Sequence, residues 1–268
     1  MLSFFKNNKD EIAWLKLIIF LLVIIPGFLF IIVSICSLLY IFSPRDYSQM
    51  ELPVSSPEDR YIFILAHGVR DTTASWCDPL KKILEEKNPD ARIISLEWRP
   101  YSDSTFRCSV DGKRIGELIG HELAAGKNLR SMHLIGHSCG AFVVLGICEA
   151  VKSLRPDVAV QTTFLDPVSI YGGIFWNYGI DHFGYCSDFS DTYIDTDDTV
   201  PGSNSPLPHA ITFDVTAAGE KAKYKGSPHV WPTVYYQQLV RAGKNPELQK
   251  DPLLPSRYPR GKIVRVKP

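Results

Sequence analysis

The chain has 268 residues, of which 45% are hydrophobic and 22% are charged. This balance excludes collagen-like, low-complexity and wholly disordered chains. Lysine and arginine together number 29, as do aspartate and glutamate, so no overall positive field favours nucleic acid as a partner. Six cysteines in this length are too few for a disulfide scaffold.

Apolar residues are concentrated near the N-terminus, where residues 17–42 contain no charged residue. As a helix this run is about 39 Å long, against about 30 Å for the hydrocarbon core of a bilayer. Pro26 and Gly27 predict a kink near its middle, which a membrane helix tolerates. The run is longer than the apolar region of a cleaved signal peptide, and no clear small-residue cleavage site follows it. We therefore expect an uncleaved transmembrane helix.

Basic residues around this run predict its orientation. Lys6, Lys9 and Lys16 precede it, whereas only Arg45 follows it closely. Since lysine and arginine are retained on the cytoplasmic side, we expect a single-pass membrane protein with its N-terminus in the cytoplasm and its globular part outside. The predicted organisation is an N-terminal flank (1–16), a transmembrane anchor (17–42), a proline- and serine-rich linker (43–60), an α/β domain (61–243) and a basic, proline-punctuated tail (244–268).

Apolar stretches rich in strand-forming residues alternate with helical stretches from Tyr61 onwards. This alternation predicts an α/β fold with a mostly parallel sheet covered by helices on both faces. The functional site of such a sheet lies beyond the carboxyl ends of its strands. Strands are predicted at 61–67, 91–98, 131–137, 162–167, 192–197 and 209–215, and helices at 73–87, 110–125, 139–154 and 231–242.

The strongest functional motif follows the third predicted strand. Residues 136–140 read Gly-His-Ser-Cys-Gly, a G-x-S-x-G motif with an apolar strand before it and an apolar helix after it. This spacing places Ser138 on a sharp turn, because the two glycines let the strand and the helix pass closely. The start of the helix also offers backbone N–H groups to an oxyanion. We therefore expect Ser138 to be a nucleophile.

The first predicted strand ends in a second short motif, His67-Gly68-Val69. Hydrolases built on a strand–serine–helix turn take one oxyanion donor from a loop at this place and the other from the residue after the serine. The expected donors are therefore the backbone N–H groups of Val69 and Cys139. His67 is expected to be a structural histidine that bonds neighbouring loops.

An activated serine needs a base, and the base needs a carboxylate to orient it. Asp166 ends the strand that follows the nucleophile's strand, and it is the favoured acid. Asp197 and Asp198 lie one strand later and are the alternative acid. His229 follows the last predicted strand in a loop that opens a helix, and it is favoured over His209 as the base. The order serine, acid, histidine along the chain is that of α/β hydrolases.

With these motifs, residues 61–243 resemble the pancreatic-type lipase family of the α/β-hydrolase superfamily. The resemblance implies the α/β-hydrolase fold, with Ser138 as nucleophile, Asp166 as acid and His229 as base. The sequence lacks several cysteines that secreted members of the family carry. The matching motifs are HGV at 67–69, SLEW at 95–98, LIGHSCGA at 134–141, FLDPVS at 164–169, SDFSDTYIDTD at 187–197, PHAITFDV at 208–215 and SPHVWPTVYY at 227–236.

Three further features bear on the site. Residues 168–190 form an aromatic-rich loop, which is either a lid and acyl-binding wall or an irregular flap on the core. Cys139 and Cys148 are expected to be buried thiols, whereas two of the loop cysteines at 77, 108 and 186 would pair if the domain is exported. We find neither metal-ligand spacing nor a phosphate loop, so the sequence predicts no metal and no cofactor.

Together these features predict a membrane-anchored serine hydrolase that cleaves a carboxylic ester through an acyl-enzyme. The expected partners are an ester or lipid-like small molecule and, through the anchor, a membrane. A thioesterase, peptidase or acyltransferase with the same triad is an alternative. A binding module that retains the fold without catalysis is another, because fold alone does not fix function. The sequence predicts no oligomeric state.

Overall fold

The computed structural model describes residues 14–267, and the chain divides into two compact units after Pro44. Residues 1–13, most of the predicted flank, lie outside the described residues. The first unit is helical, and Pro26 lies in the first turn of its longest helix. Because proline has no backbone N–H, it interrupts the α-helical hydrogen bonds of the preceding turn. Its parts are α1 (Trp14–Ile19), a wider π-helical turn (Phe20–Ile24) and α2 (Ile25–Phe42).

The apolar helix of the first unit bears on whether the protein is located at a membrane. A stretch of 18 residues within 17–42 has a mean hydropathy of 3.2, and by length and composition the helix is able to cross a membrane. A signal sequence near an N-terminus meets the same criterion. The transmembrane anchor therefore stays a prediction.

The second unit is built on a seven-stranded sheet in which all neighbouring strands are parallel. The strand order is β2-β1-β3-β4-β5-β6-β7. Because the strands point the same way, the loops that follow them gather at one edge of the sheet. The strands are β1 (Tyr61–Ala66), β2 (Arg92–Leu96), β3 (Ser131–His137), β4 (Ala159–Leu165), β5 (Phe189–Ile194), β6 (Ile211–Asp214) and β7 (Ile263–Arg265).

Helices cover both faces of this sheet. The helices of the second unit are α3 (Cys77–Lys87), α4 (Cys108–Ala124), α5 (Gly140–Leu154), α6 (Tyr178–His182), α7 (Thr216–Ala222), α8 (Trp231–Arg241) and α9 (Leu254–Arg257). On one face α4 and α5 pack around a core that includes Trp98 and Phe142. On the other face α3 and α8 pack around Trp76 and Trp231. The predicted α/β-hydrolase fold, with a parallel sheet between two helical layers, is confirmed.

The second unit also contains residues that sequence analysis assigned to a linker and a tail. β7 lies in the tail and pairs with β6, where Val264 aligns with Phe213. Its three residues are too few for a recognisable strand pattern. In the linker, the side chains of Arg45 and Tyr47 donate hydrogen bonds of 3.2 and 2.8 Å to the buried Asp111 of α4. Both segments are therefore fixed to the globular unit.

A buried polar network ties β3, β4 and β5 together beneath the site. The Thr163 hydroxyl donates to Asp191 Oδ1 at 2.6 Å, and the Tyr193 hydroxyl donates to Asp191 Oδ2 at 3.0 Å. Nε2 of His133 lies 2.8 Å from the Thr163 oxygen and donates to it, because that hydroxyl's own hydrogen points to Asp191. Burial raises the pKa of Asp191 to about 7.

We expect Asp191→Asn to flatten the pH dependence of stability. The pKa of this carboxyl rises on folding from 3.8 to about 7. Its contribution to the free energy of unfolding is therefore fully present below about pH 4 and is lost as the pH rises towards 7. Urea titrations should therefore show the unfolding free energy of the variant rising, relative to that of the wild type, as the pH increases from about 4 to 7. A difference that stays constant with pH would contradict the raised pKa.

Candidate active site

Ser138 occupies the sharp turn between β3 and α5. Its backbone is left-handed, with a φ of +54°, and its N–H donates to the Leu165 carbonyl at 3.1 Å. Packing requires the two motif glycines, since a Cβ on Gly136 would lie 2.7 Å from the Gly140 carbonyl oxygen, and a Cβ on Gly140 would collide with the Ala66 carbonyl. The G-x-S-x-G motif thus forms a strained, buried turn at the carboxyl edge of the sheet.

His229 lies in a short 3-10 turn (Pro228–Val230) that leads into α8. Its Nδ1 atom is 2.8 Å from Asp198 Oδ2 and 3.2 Å from Asp166 Oδ2. The favoured acid and its alternative therefore reach the same nitrogen of one imidazole. Asp197, the other alternative acid, is exposed and borders a different cleft, so the structure does not bring it to His229.

Ser138 and His229 border the same cavity. Because Nδ1 of His229 faces the carboxyl groups, Nε2 is the nitrogen left for the serine. Within the described residues the Ser138 hydroxyl makes no hydrogen bond to His229; such bonds are often long in unliganded sites and tighten when substrate binds. His209, the less favoured base, lies instead beside Tyr185, with ring centroids 6.4 Å apart.

Two buried histidines hold the loops around the site. The Nε2–H group of His137 donates to the His229 carbonyl at 2.9 Å and so fixes the backbone next to the imidazole. Burial lowers the pKa of His137 to about 3, and its ring is therefore neutral. His67 places Nδ1 2.9 Å from the Gly68 carbonyl and Nε2 3.1 Å from Glu97, which joins the loop after β1 to the loop after β2.

The loop after β1 passes directly against Ser138. A Cβ on Gly68 would lie 2.9 Å from Ser138 Cβ and 3.4 Å from its Oγ, so only glycine permits this approach. Val69 and Cys139, the predicted oxyanion donors, border the cavity together with Ser138. Cys139 immediately precedes α5, and the positive end of that helix adds a field that favours an oxyanion.

Backbone strain is concentrated around these groups. Among the described residues, five that are not glycine have φ between +42° and +56°. Four of them are Arg70 after the first loop, Ser138, Asp166, and Asn204, whose N–H donates to Asp166 Oδ1 at 3.0 Å. The fifth, Lys223, ends α7. Such residues cost free energy and persist where the surrounding structure fixes them, which is typical of functional sites.

The cavity beside Ser138 has a volume of about 640 Å³, within the range of small-molecule sites. Residues 168–190 supply part of its wall, so this loop is more than a flap on the core. Phe106 and Trp176 at the border are 62% and 59% exposed. The apolar lining consists of Val69, Trp76, Phe106, Val168, Ile170, Trp176, Val200, Pro201 and Val230.

Two disulfides correct the sequence analysis, which expected Cys139 and Cys148 to be thiols. Cys139 is bonded to Cys108 at the start of α4, and Cys148 is bonded to Cys186 before β5. The partners are 31 and 38 residues apart, and only the tertiary fold brings them together. Cys77 is a buried free thiol. The first disulfide ties the proposed oxyanion donor to the neighbouring helix.

Sequence analysis did not identify the groups that surround the carboxyls of Asp166 and Asp198. The Ser203 hydroxyl donates to Asp198, and Asn204 reaches both acids, through its N–H to Asp166 and through its side-chain amide to the Asp198 carbonyl. Both residues lie in the stretch PGSNSP at 201–206. That composition predicts a turn but does not indicate which groups the turn meets.

Comparison with known proteins finds no matching family model and no matching curated protein. Among solved structures, the chain is similar to a lipase-esterase related protein from Clostridium acetobutylicum, with 10% identity, a TM-score of 0.45, and coverage of 72% of this chain and 96% of that one. It is also similar to the ydeN gene product of B. subtilis, with 16% identity, a TM-score of 0.40, and coverage of 67% and 98%. These scores carry no argument about activity.

We expect the double variant Cys108→Ser/Cys139→Ser to unfold more easily than the wild type. A crosslink that closes a loop of this length stabilises a fold by about 4 kcal/mol, mainly by restricting the unfolded chain. The measurement is the guanidinium midpoint without reductant, with Cys36→Ser as the control because Cys36 lies in α2. Equal midpoints for the double variant and the wild type would contradict a stabilising Cys108–Cys139 bond.

Proposed function

We propose that the chain is a serine hydrolase that cleaves a carboxylic ester. The observation that carries the proposal is the meeting of three features at one cavity: a strained serine, a histidine whose Nδ1 is held by carboxyl oxygens, and backbone N–H groups at a helix start. Together they supply a nucleophile, a base and an oxyanion site, which is the requirement for acyl transfer.

In the proposed first step, His229 Nε2 takes the proton of the Ser138 hydroxyl while Ser138 Oγ bonds to the acyl carbon. The carbonyl electrons move to its oxygen, which the N–H groups of Val69 and Cys139 receive. As the tetrahedral intermediate collapses, the bond from the acyl carbon to the alcohol oxygen breaks, and His229 returns its proton to that oxygen. The alcohol leaves, and the acyl group stays on Ser138.

Water then repeats these steps on the acyl-enzyme. His229 removes a proton from the water as its oxygen bonds to the acyl carbon, and the proton passes to Ser138 Oγ when the acyl–serine bond breaks. The carboxylic acid is released. Burial lowers the pKa of His229, but its hydrogen bonds to Asp166 and Asp198 and the negative charge of the carboxyl pair outweigh burial and raise it. The carboxyl pair thereby stabilises the imidazolium that forms in each step.

The cavity favours an ester with an apolar acyl group. Its lining is mostly apolar, and two exposed aromatic side chains, Phe106 and Trp176, stand at its border. An apolar wall beside the nucleophile stabilises hydrocarbon that is removed from water. The resemblance of the motifs to the pancreatic-type lipases supports the same substrate class. We therefore propose a lipid-like ester.

We also propose that residues 17–42 anchor the hydrolase in a membrane, with the N-terminus in the cytoplasm. The length and composition of this helix and the basic residues before it support the proposal. The Cys108–Cys139 and Cys148–Cys186 disulfides support a globular unit outside the cytoplasm, because such bonds persist in oxidising compartments.

A fluorophosphonate should label the full chain, held in detergent micelles, once and on Ser138. Ser138→Ala should remove the label and lower ester turnover by about 10⁶, because no other group replaces the nucleophile. His229→Ala should slow labelling strongly through loss of the base. The measurement is intact mass, with the exposed Ser153→Ala and with His209→Ala as matched controls. No adduct on folded wild-type protein would overturn the hydrolase and favour a binding module.

Deletion of residues 1–43 should move the protein from the membrane fraction to the supernatant, because the apolar helix is the proposed anchor. Ultracentrifugation of lysates that contain either the full chain or the deletion variant measures this. Washing the membranes with high salt controls for charge attraction. A deletion variant that stays with the membranes, or a full chain in the supernatant, would contradict anchoring by residues 17–42.

A further inference from the structure

Two carboxyl groups compete for one imidazole proton at the site. The Nδ1–H group of His229 is 2.8 Å from Asp198 Oδ2 and 3.2 Å from Asp166 Oδ2. The nitrogen and the two carboxyl oxygens all lie within 4.8 Å of one another. One N–H group cannot satisfy two carboxylates fully, and two negative charges this close repel strongly in a buried site. The pair is therefore expected to hold a proton.

The surroundings of Asp198 favour the ionised form. Its carboxyl accepts hydrogen bonds from the Ser203 hydroxyl and, at 3.1 Å, from the Val200 N–H, besides the one from His229. Hydrogen bonds donated to a carboxylate stabilise its charge. Burial raises the pKa of Asp198, but these donors and His229 outweigh burial and lower it below 3.8.

The surroundings of Asp166 favour the neutral form. Its side chain is 0% exposed. Apart from His229, the donor to its carboxyl is the Asn204 N–H at 3.0 Å. The Asp198 side chain is also nearly buried, at 3% exposed, but Asp166 has fewer donors, so a charge on Asp166 is the more poorly solvated of the two. Burial raises its pKa to about 7, and the negative charge of Asp198 acts in the same direction.

Within residues 14–267, the strongest influences on the pKa values of Asp166 and Asp198 include no positively charged side chain other than His229. His137, from the end of β3, is neutral because burial lowers its pKa to about 3. Asp195, which precedes the Asp198 turn, is acidic, and burial together with the charges of Asp197 and Asp198 raises its pKa. His229 is the remaining group, and it is the base itself.

We propose that the two acids have different states and different roles: Asp198 is the anion paired with His229, and Asp166 carries a proton and positions the pair. This assignment rests on the proposed hydrolase function for its catalytic meaning. The neutral Asp166 keeps the net charge beside the imidazole at minus one, so the imidazolium formed during turnover is matched one to one. It also departs from the sequence prediction, in which Asp166 was the favoured anion.

Asparagine substitutions separate the two roles, because asparagine keeps the shape of the side chain, cannot ionise, and replaces one carboxyl oxygen by an NH2 donor. Asp198→Asn should lower the fluorophosphonate labelling rate by about 10⁴, as expected when the anion behind a catalytic histidine is lost. Asp166→Asn should lower it by about tenfold, since a neutral group replaces a neutral group. Asp197→Asn, which is outside the site, is the matched control and should label at the wild-type rate. The opposite ranking of the two site variants would overturn the proposal.

Proton positions give a readout that does not depend on activity. Neutron diffraction from crystals of the full chain exchanged into heavy water, at about pH 6, should show a deuteron on the Asp166 carboxyl, none on Asp198, and one on His229 Nδ1. A deuteron on Asp198, or none on Asp166, would overturn the assignment. Wild-type protein that fails to label would instead overturn the hydrolase proposal, and the diffraction result would still decide the protonation of the pair.

Discussion

The left-handed backbone of Ser138 is the constraint on which the rest of the site depends. This conformation is costly for a residue with a side chain, and the close passage of β3 and α5 enforces it. The passage is possible because Gly136 and Gly140 leave no room for a Cβ. The same turn presents the hydroxyl at the sheet edge and places the start of α5 beside it, at the proposed oxyanion site.

The parallel sheet brings the remaining groups to that turn. The loops after β1, β4 and β5 deliver Val69, Asp166 and Asp198 to one edge, and the turn before α8 adds His229. In the described part of the chain, four of the five left-handed residues that are not glycine lie in or next to this set. Because packing and hydrogen bonds hold each of them, the polar groups are fixed before any substrate arrives, as electrostatic catalysis requires.

Sequence periodicity was sufficient for the fold, and the motifs after its strands predicted which residues the fold brings to one cavity. The strands are short apolar runs, and the residues after them were predicted to meet because parallel strands end together. β7 could not be recognised, because three residues carry too little pattern. The pairing of Cys108 with Cys139 depends on how α4 packs against the start of α5, which local sequence does not encode.

For a related reason, the sequence does not indicate which of Asp166 and Asp198 is the anion paired with His229. Asp166 and Asp198 both follow strands that end at the site, and the position of Asp166, which made it the favoured acid, does not indicate which carboxyl is ionised. What separates them is solvation: Asp198 collects donors from the turn at Val200 and Ser203, whereas Asp166 is enclosed with fewer donors. These contacts arise from a loop whose composition indicates only that it turns.

A crystal structure of the full chain after reaction with a phosphonate ester tests the central claim most directly. The account predicts phosphorus bonded to Ser138 Oγ, one phosphonyl oxygen within hydrogen-bond distance of the N–H groups of Val69 and Cys139, and the alkyl group in the apolar cavity. It also predicts His229 Nε2 facing the adduct. An unmodified Ser138, or a phosphonyl oxygen that faces away from both N–H groups, would contradict it.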